Sequence, residues 1–221
     1  MRKLLTVFFA MVLAIGLAAC GSNSTSSETT ETQISSVENS SLEETVTEET
    51  TEEVSTTEET QPAEDKTLVV YFSATGNTKD IAEKIAAITN ADIYEIKAAQ
   101  EYTADDLNWH DTSTRATVEQ NDSSVRPEIG SDPVSLEGYS TIYIGYPIWW
   151  GEEPRIMDTF VESYNFDGIT MIPFCTSGSS GVGRSGKNLE ENAGSGNWLD
   201  GKRFGAGASE SEIQSWIDGL Q

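Results

Sequence analysis

Short apolar runs separated by polar segments recur from residue 66 onward, and they have the lengths of buried β-strands. The four clearest runs are Lys66 to Phe72, Asp92 to Ile96, Thr141 to Gly145 and Ile169 to Phe174. The first run is rich in β-branched and aromatic residues, which is typical of a strand buried on both faces of a parallel sheet. A shorter run, Arg203 to Ala206, predicts a fifth strand.

Helical spacing occupies the segments between these runs. After the first strand, apolar residues recur at three- and four-residue intervals from Ile81 to Ile88, and Asn77 or Thr78 is the expected N-cap. Four more helices are predicted. One spans Ala104 to about Gln120, one opens at Pro154, one spans Lys187 to Asn192, and the last follows Ser209. Strands that alternate with helices predict an α/β fold.

Two of these helices carry strong signals at their ends or faces. The helix that opens at Pro154 should turn its apolar residues inward, namely Ile156, Phe160 and Val161. For the last helix, Ser209 and Glu212 can form a capping box. Its apolar face consists of Ile213, Trp216, Ile217 and Leu220.

Three of the predicted strands end in segments suited to contact a ligand. The candidate binding residues are Ser73, Ala74, Thr75, Gly76, Asn77 and Thr78 after the first strand, Pro147, Ile148, Trp149, Trp150 and Gly151 after the third, and Thr176, Ser177, Gly178, Ser179 and Gly181 after the fourth. Hydroxyls and backbone N–H groups at a helix start suit a phosphate. Indole faces and small polar groups suit a flat ring, so the three segments together predict a flavin site.

Each segment taken alone has a plainer interpretation. The first could be an ordinary strand-to-helix turn, and it lacks the G-K-[ST] ending of a nucleoside-triphosphate loop. One or both indoles of Trp149 and Trp150 could fold into the core beneath the next helix. The Gly/Ser run after the fourth strand could be only a flexible loop. The order and spacing of the three favour the ligand site.

On these motifs the chain resembles the flavodoxin family over Lys66 to Gln221. The resemblance rests on Y-F-S-A-T-G-N-T after the first strand, on the Pro- and Trp-bearing loop and on the Gly/Ser loop. It is closest to a branch with a Y-P-I-W-W-G loop, an L-N-W stretch (Leu107-Asn108-Trp109) and an R-P pair (Arg126-Pro127). The resemblance implies a doubly wound five-stranded parallel sheet of order 2-1-3-4-5. It also implies non-covalent FMN at the carboxyl ends of the strands, with the phosphate on the first loop and the other two loops beside the ring.

The loop after the fourth strand departs from many flavodoxins, because it has Thr, Ser and Gly where they carry a second ring-stacking aromatic. One ring face could therefore be more open, as in the similar FMN-binding quinone reductases. Two redox functions stay open, a one-electron carrier, which the resemblance favours, and a two-electron reductase of quinones or similar small acceptors. A rival of another class is a non-redox module that binds some other phosphate-bearing ligand.

The N-terminus predicts export and lipidation. Arg2 and Lys3 precede an apolar stretch from Leu4 to Leu17, and Leu17-Ala18-Ala19-Cys20 resembles a bacterial lipoprotein signal in which Cys20 is lipidated. Plain secretion and an uncut membrane anchor are the alternatives. The expected organisation is a signal peptide at 1–20, a disordered Ser/Thr/Glu-rich tether at 21–65 and a flavodoxin-like domain at 66–221. The expected location is the outer side of a bacterial cell membrane, with the lipid as the only membrane contact.

Charge narrows the class of partner. The tether has 13 acidic residues and no Lys or Arg, so residues 66–221 keep 24 acidic against 11 basic residues. Such a surface disfavours nucleic acid and would attract a basic redox protein. The alternative partner that we expect is a small electron acceptor. We expect a monomer.

The remaining reactive residues exclude several kinds of chemistry. If Cys20 carries a lipid, Cys175 is alone and no disulfide can form, and a buried structural thiol is the expected role of Cys175. The only histidine, His110, has no second His or Cys near it to make a metal site, and it is expected at the surface. No Ser-His-Asp set is evident, so we predict no catalytic side chain and no metal.

Overall fold

The computed structural model describes residues 65–220, which form six strands and five helices. The strands are β1 (Lys66–Phe72), β2 (Asp92–Ile96), β3 (Tyr139–Pro147), β4 (Thr170–Thr176), β5 (Asn197–Trp198) and β6 (Lys202–Phe204). The helices are α1 (Asn77–Thr89), α2 (Arg115–Asn121), α3 (Arg155–Glu162), α4 (Ser185–Ala193) and α5 (Glu210–Asp218).

The sheet is parallel, with the order β2-β1-β3-β4-β5, and β6 also pairs with β4. The predicted fold class and strand order are therefore confirmed. The fifth position consists of two short strands, β5 and β6, where the sequence indicated one. Strand order reverses between β1 and β3, and a ligand is expected in the crevice at such a point.

Alternating side chains of each central strand enter two cores, one on each face of the sheet. In β1, Leu68, Val70 and Phe72 pack towards α3 and α4, whereas Val69 and Tyr71 pack towards α1 and α5. The inward residues predicted for α3, namely Ile156, Phe160 and Val161, are all fully buried. With helices covering both faces, the strand ends are the part of the sheet left open to a ligand.

The predicted helix from Ala104 to about Gln120 is wrong over most of its length. A series of turns occupies residues 104–114, and α2 begins only at Arg115. Asp106 accepts from the backbone N–H and the hydroxyl of Thr103, and Asp111 accepts in the same way from Ser113. Such local side-chain bonds offer the backbone an alternative to helical hydrogen bonds, which explains the late start of α2.

The predicted caps have two different outcomes. The N-cap of α1 is Gly76, in a left-handed conformation with φ of 86°, so the prediction of Asn77 or Thr78 is wrong. The capping prediction for α5 is confirmed in its first half, because the Ser209 hydroxyl accepts from the backbone N–H of Glu212. Helix α4 is longer than predicted by two residues at its start and one at its end.

Candidate functional site

Three loops meet at the carboxyl edge of the sheet because β1, β3 and β4 are neighbours. We call them the first loop (Ser73–Thr78), the second loop (Pro147–Gly151) and the third loop (Thr176–Gly181). Thr176 joins all three. Its hydroxyl lies 2.8 Å from that of Thr78, and its carbonyl accepts from the Ile148 N–H at 2.9 Å. All the candidate binding residues predicted from the sequence thus lie along one edge of the molecule.

The first loop combines a helix N-terminus with a buried, unused hydroxyl. Asp80 N–H bonds to Gly76 O at 3.1 Å, so the N–H groups of the residues between them precede the hydrogen bonds of α1. The Ser73 hydroxyl oxygen is buried and has no hydrogen-bond partner among residues 65–220. The Thr75 side chain is exposed and accepts from the Asn77 amide at 3.2 Å. Donors without a positive side chain make this loop suitable for an anion.

The second loop ends in a tight turn that separates the two indoles. Trp149 and Glu152 exchange backbone hydrogen bonds of 2.9 and 3.0 Å, and Trp150 and Gly151 between them have φ of 49° and 91°. Positive φ at both central positions is the requirement of a type I′ turn, which Gly meets easily and Trp does not. Trp150 stands at the tip with 45% of its surface exposed.

Trp149 is partly buried and packs against the core, although it also lines the cavity described below. Its ring makes edge contacts with Phe72 at 5.7 Å and with Tyr102 at 5.1 Å between centroids. Its place next to Gly151 in the sequence favours Trp150 as the indole that stacks on a ring, and the contacts with Phe72 and Tyr102 belong to Trp149. Trp150 is then the indole free to cover a ligand.

The third loop is held by Arg203 from β6. The Arg203 guanidinium donates to Ser177 O at 2.6 Å, to Gly178 O at 2.8 Å and to the Ser177 hydroxyl at 3.2 Å. Gly178, Ser179 and Gly181 are exposed. This Gly/Ser run is therefore held at its start by the partly buried Arg203 of β6, while its polar tip faces solvent.

A cavity of about 370 Å³ lies between the first and second loops. Its walls are Thr75, Ile148, Trp149 and Trp150, together with Leu107, Trp109 and Ala116 from the crossover between β2 and β3. Leu107 and Trp109 belong to the L-N-W stretch noted in the sequence, but the sequence assigned them no role. Ala116 was not identified as a site residue from the sequence. The volume falls within the roughly 300–1,000 Å³ of small-molecule sites.

Trp109 is the second exposed indole of this cavity. It is 68% exposed, and the ring of His110 lies against it at 3.5 Å between centroids. The third loop has no aromatic residue, and the residues that line this cavity come from the first loop, the second loop and the crossover. His110 is at the surface, as expected.

Arg126 and Pro127 lie outside the cavity and anchor the crossover to α3. Arg126 forms a two-pronged ion pair with Glu162 at 2.6 and 2.8 Å, and Pro127 O accepts from the Thr159 hydroxyl at 3.0 Å. Cys175 is buried, which raises the pKa of its thiol to about 12, and the expectation of a structural thiol is confirmed. A protonated thiol is a poor nucleophile.

Several predictions fall outside the described residues. The signal peptide at 1–20, the lipidation site Cys20 and nearly all of the tether at 21–65 lie there. Within residues 65–220, no helix has the length and apolar character needed to cross a bilayer.

Comparison with known proteins gives both a family and close structural relatives. A flavodoxin family model matches residues 66–220. The crystal structure of a protein classed as a flavoprotein from Bacteroides uniformis is 48% identical with a TM-score of 0.66, and covers 69% of this chain and 97% of that one. A second such protein, from Bacteroides eggerthii, is 42% identical with a TM-score of 0.66 over 70% and 97%.

A third structure, a flavoprotein from Lactobacillus acidophilus in complex with FMN, is 26% identical with a TM-score of 0.54 over 69% of this chain and 99% of that one. No curated protein matches the chain.

Proposed function

Because the chain belongs to the flavodoxin family, we propose that it binds FMN without a covalent bond at the first, second and third loops and acts in electron transfer. The observation that carries this proposal is the aromatic cavity beside the N-terminus of α1. A relative of similar fold was crystallised with FMN, which supports the choice of ligand.

The residues of the first loop fit the phosphate of FMN. The N-terminus of α1 offers backbone N–H groups, and the buried Ser73 hydroxyl has no other partner among the described residues. The exposed hydroxyl of Thr75 lies at the boundary between this loop and the cavity. The first loop would thus bind a dianion through neutral donors.

The cavity walls fit the flat ring. Ile148 and Trp150 offer apolar and aromatic surface on one side, and Trp109 adds a further indole. These residues would orient the ring and exclude water from it, while the third loop would lie at its polar edge. FMN, when bound, supplies the redox chemistry, and no side chain need act as an acid or base.

One structural feature favours the one-electron carrier over the two-electron reductase. Trp109 and Trp150 both line the cavity, so both would cover part of the bound ring and narrow the approach of a second substrate. The alternative, a two-electron reductase of quinones or similar small acceptors, is favoured by the exposed tip of the third loop at Gly178 and Ser179.

The test is a titration of the purified full-length chain with FMN and with riboflavin, followed by visible absorption and flavin fluorescence. We expect tight binding of FMN and much weaker binding of riboflavin, since riboflavin lacks the phosphate. Equal affinity for the two would refute the role of the first loop, and no binding of either would favour the non-redox module.

An anaerobic reductive titration then separates the two redox functions. Two resolved one-electron steps, without turnover of quinone or nicotinamide, would support the carrier. Saturable quinone reduction in a single two-electron step would support the reductase.

We further propose that Cys20 carries a lipid and that residues 21–65 space the domain from the outer side of a bacterial cell membrane. The small-residue sequence before Cys20 and the acidic tether support this location. The formal net charge of residues 66–221, −13, supports a basic protein as redox partner of a monomeric domain. Electron transfer to such a partner should slow as salt is added.

A further inference from the structure

The turn that presents Trp150 is strained, so something must hold it in place. Trp150 has a left-handed backbone that bulky residues avoid. Only the paired backbone bonds between Trp149 and Glu152 close the turn itself. The support comes from residues beneath the turn, which the proposed function does not use.

Arg155, in the first turn of α3, is the centre of that support. The residue is 7% exposed, and its terminal nitrogen Nη2 donates to the Glu152 carboxylate at 2.8 Å and to Gln120 O at 3.0 Å. The side-chain amide of Gln120 also donates to the backbone carbonyl of Glu153, the residue after the turn, at 3.0 Å. One guanidinium nitrogen therefore joins the end of the aromatic turn to the end of α2.

These two connected elements form different walls of the cavity. The turn carries Trp150, and α2 carries Ala116, which lies one helical turn before Gln120 on the same face. The two walls are therefore joined by Arg155 and by the direct bond from Gln120 to Glu153 O.

The surroundings of Arg155 make a purely stabilising role a poor explanation. Its other terminal nitrogen lies 3.7 Å from the Glu153 carboxylate and 3.5 Å from that of Asp158, both of which are almost fully buried. Asn188 and Asn192 of α4 donate to these two carboxylates at 3.0–3.2 Å. A buried charged network is often no more stable than an apolar core of the same shape, so its value lies in the geometry that it imposes.

We propose that Arg155 is a positioning residue that sets the distance between the Trp150 turn and α2, and so the width and orientation of the ring site. This inference rests on the proposed function, because the site is taken to hold the ring of FMN. Lysine at position 155 would keep the charge, but its single ammonium cannot place one nitrogen between Glu152 and Gln120 and a second nitrogen beside Glu153 and Asp158.

The test compares Arg155→Lys with Arg126→Lys in the full-length chain. Arg126 is the control, because its close ion pair is with Glu162 of α3 at 2.6 Å, whereas Asp158, which Arg155 also approaches, lies 4.0 Å from it. The first measurement is hydrogen exchange of the Trp149 and Glu152 amides without FMN, with the amides of β1 as internal reference. The second is the dissociation constant of FMN and the visible circular dichroism of the bound flavin.

For Arg155→Lys we expect exchange at the two turn amides to accelerate at least about tenfold while β1 is unchanged. We also expect a dissociation constant for FMN about tenfold higher and an altered dichroism spectrum. Arg126→Lys should leave all of these at wild-type values. Unchanged turn amides in Arg155→Lys, uniform acceleration over the whole chain, or an equal effect of Arg126→Lys would overturn the proposal. If the wild type binds no FMN, the proposed function fails, and the exchange data still decide this inference.

Discussion

Trp150 allows the contribution of the indole to binding to be separated from the strain of its backbone. Replacement by either Ala or Gly removes the exposed indole, so FMN affinity should fall by about 1–3 kcal/mol for both variants, from lost area and lost ring contact. That corresponds to roughly 5- to 150-fold in the dissociation constant. The two variants should differ in stability, because φ at this position is 49°.

The stability difference follows from two opposing effects. A left-handed conformation costs a non-Gly residue about 1–2 kcal/mol, and glycine avoids this cost. Glycine in turn loses about 0.4–1 kcal/mol through the greater freedom of its unfolded chain. Without FMN, the free energy of unfolding of Trp150→Gly should therefore be higher than that of Trp150→Ala, by up to about 1.6 kcal/mol.

Urea unfolding of the protein without FMN measures the stability difference, and fluorescence titration with FMN measures the change in affinity. Trp149→Phe is the control, because Trp149 packs against Phe72 and Tyr102, and its replacement should lower stability more than affinity. A glycine variant less stable than the alanine variant would refute the strain argument. Unchanged FMN affinity in both would refute the role of Trp150.

Four further outcomes are expected. Thr75→Val should weaken FMN binding by about 1.5–3 kcal/mol without changing riboflavin binding, since it removes a donor to a charged group; calorimetric titration with both ligands checks this. Trp109→Ala should weaken FMN binding and expose the ring to solvent, and iodide should then quench flavin fluorescence more strongly. An unaltered quenching constant would contradict the placement of Trp109 beside the ring. Burial raises the pKa of Glu153 to about 7, so the wild type should lose up to about 3 kcal/mol relative to Glu153→Gln as the pH rises from about 4.5 through 7, measured by urea unfolding at pH 5 and 8. Cys20→Ser should release the protein from membranes or stall its processing without affecting flavin affinity, and a freely soluble, unlipidated wild type would contradict the anchor.

The apolar runs predicted the strands well, most clearly at β1, where burial on both faces leaves a strong signal. The bounds of β1 and β2 agree with the prediction at both ends. The strand order was accessible through the resemblance of the loop motifs to one family, not through periodicity.

The errors arise where local polar chemistry competes with periodicity. Residues 104–114 have the spacing of a helix, but Asp106 and Asp111 capture nearby donors and form turns. Gly76 displaced the expected caps because its positive φ begins α1 without a side-chain bond. Neither conformation is visible in an apolar pattern.

The cavity was only half predictable, because its second wall comes from a distant part of the chain. The turn with Trp150 directly follows a strand, so its position could be inferred. Trp109 and Ala116 reach the same cavity through an irregular crossover whose path depends on tertiary contacts. The support by Arg155 likewise depends on Gln120, which is 35 residues away in the sequence.

The division of the fifth sheet position into β5 and β6 has a consequence for colloidal behaviour. A long, flat edge strand offers unpaired backbone groups to another chain and promotes aggregation. Here that edge is broken after two residues and resumes for only three, with a lysine at the start of the second piece. At the opposite edge, β2 is five residues long and carries Asp92 and Glu95. Many copies crowded together should therefore resist strand-to-strand polymerisation, which would let the domain work at high local density.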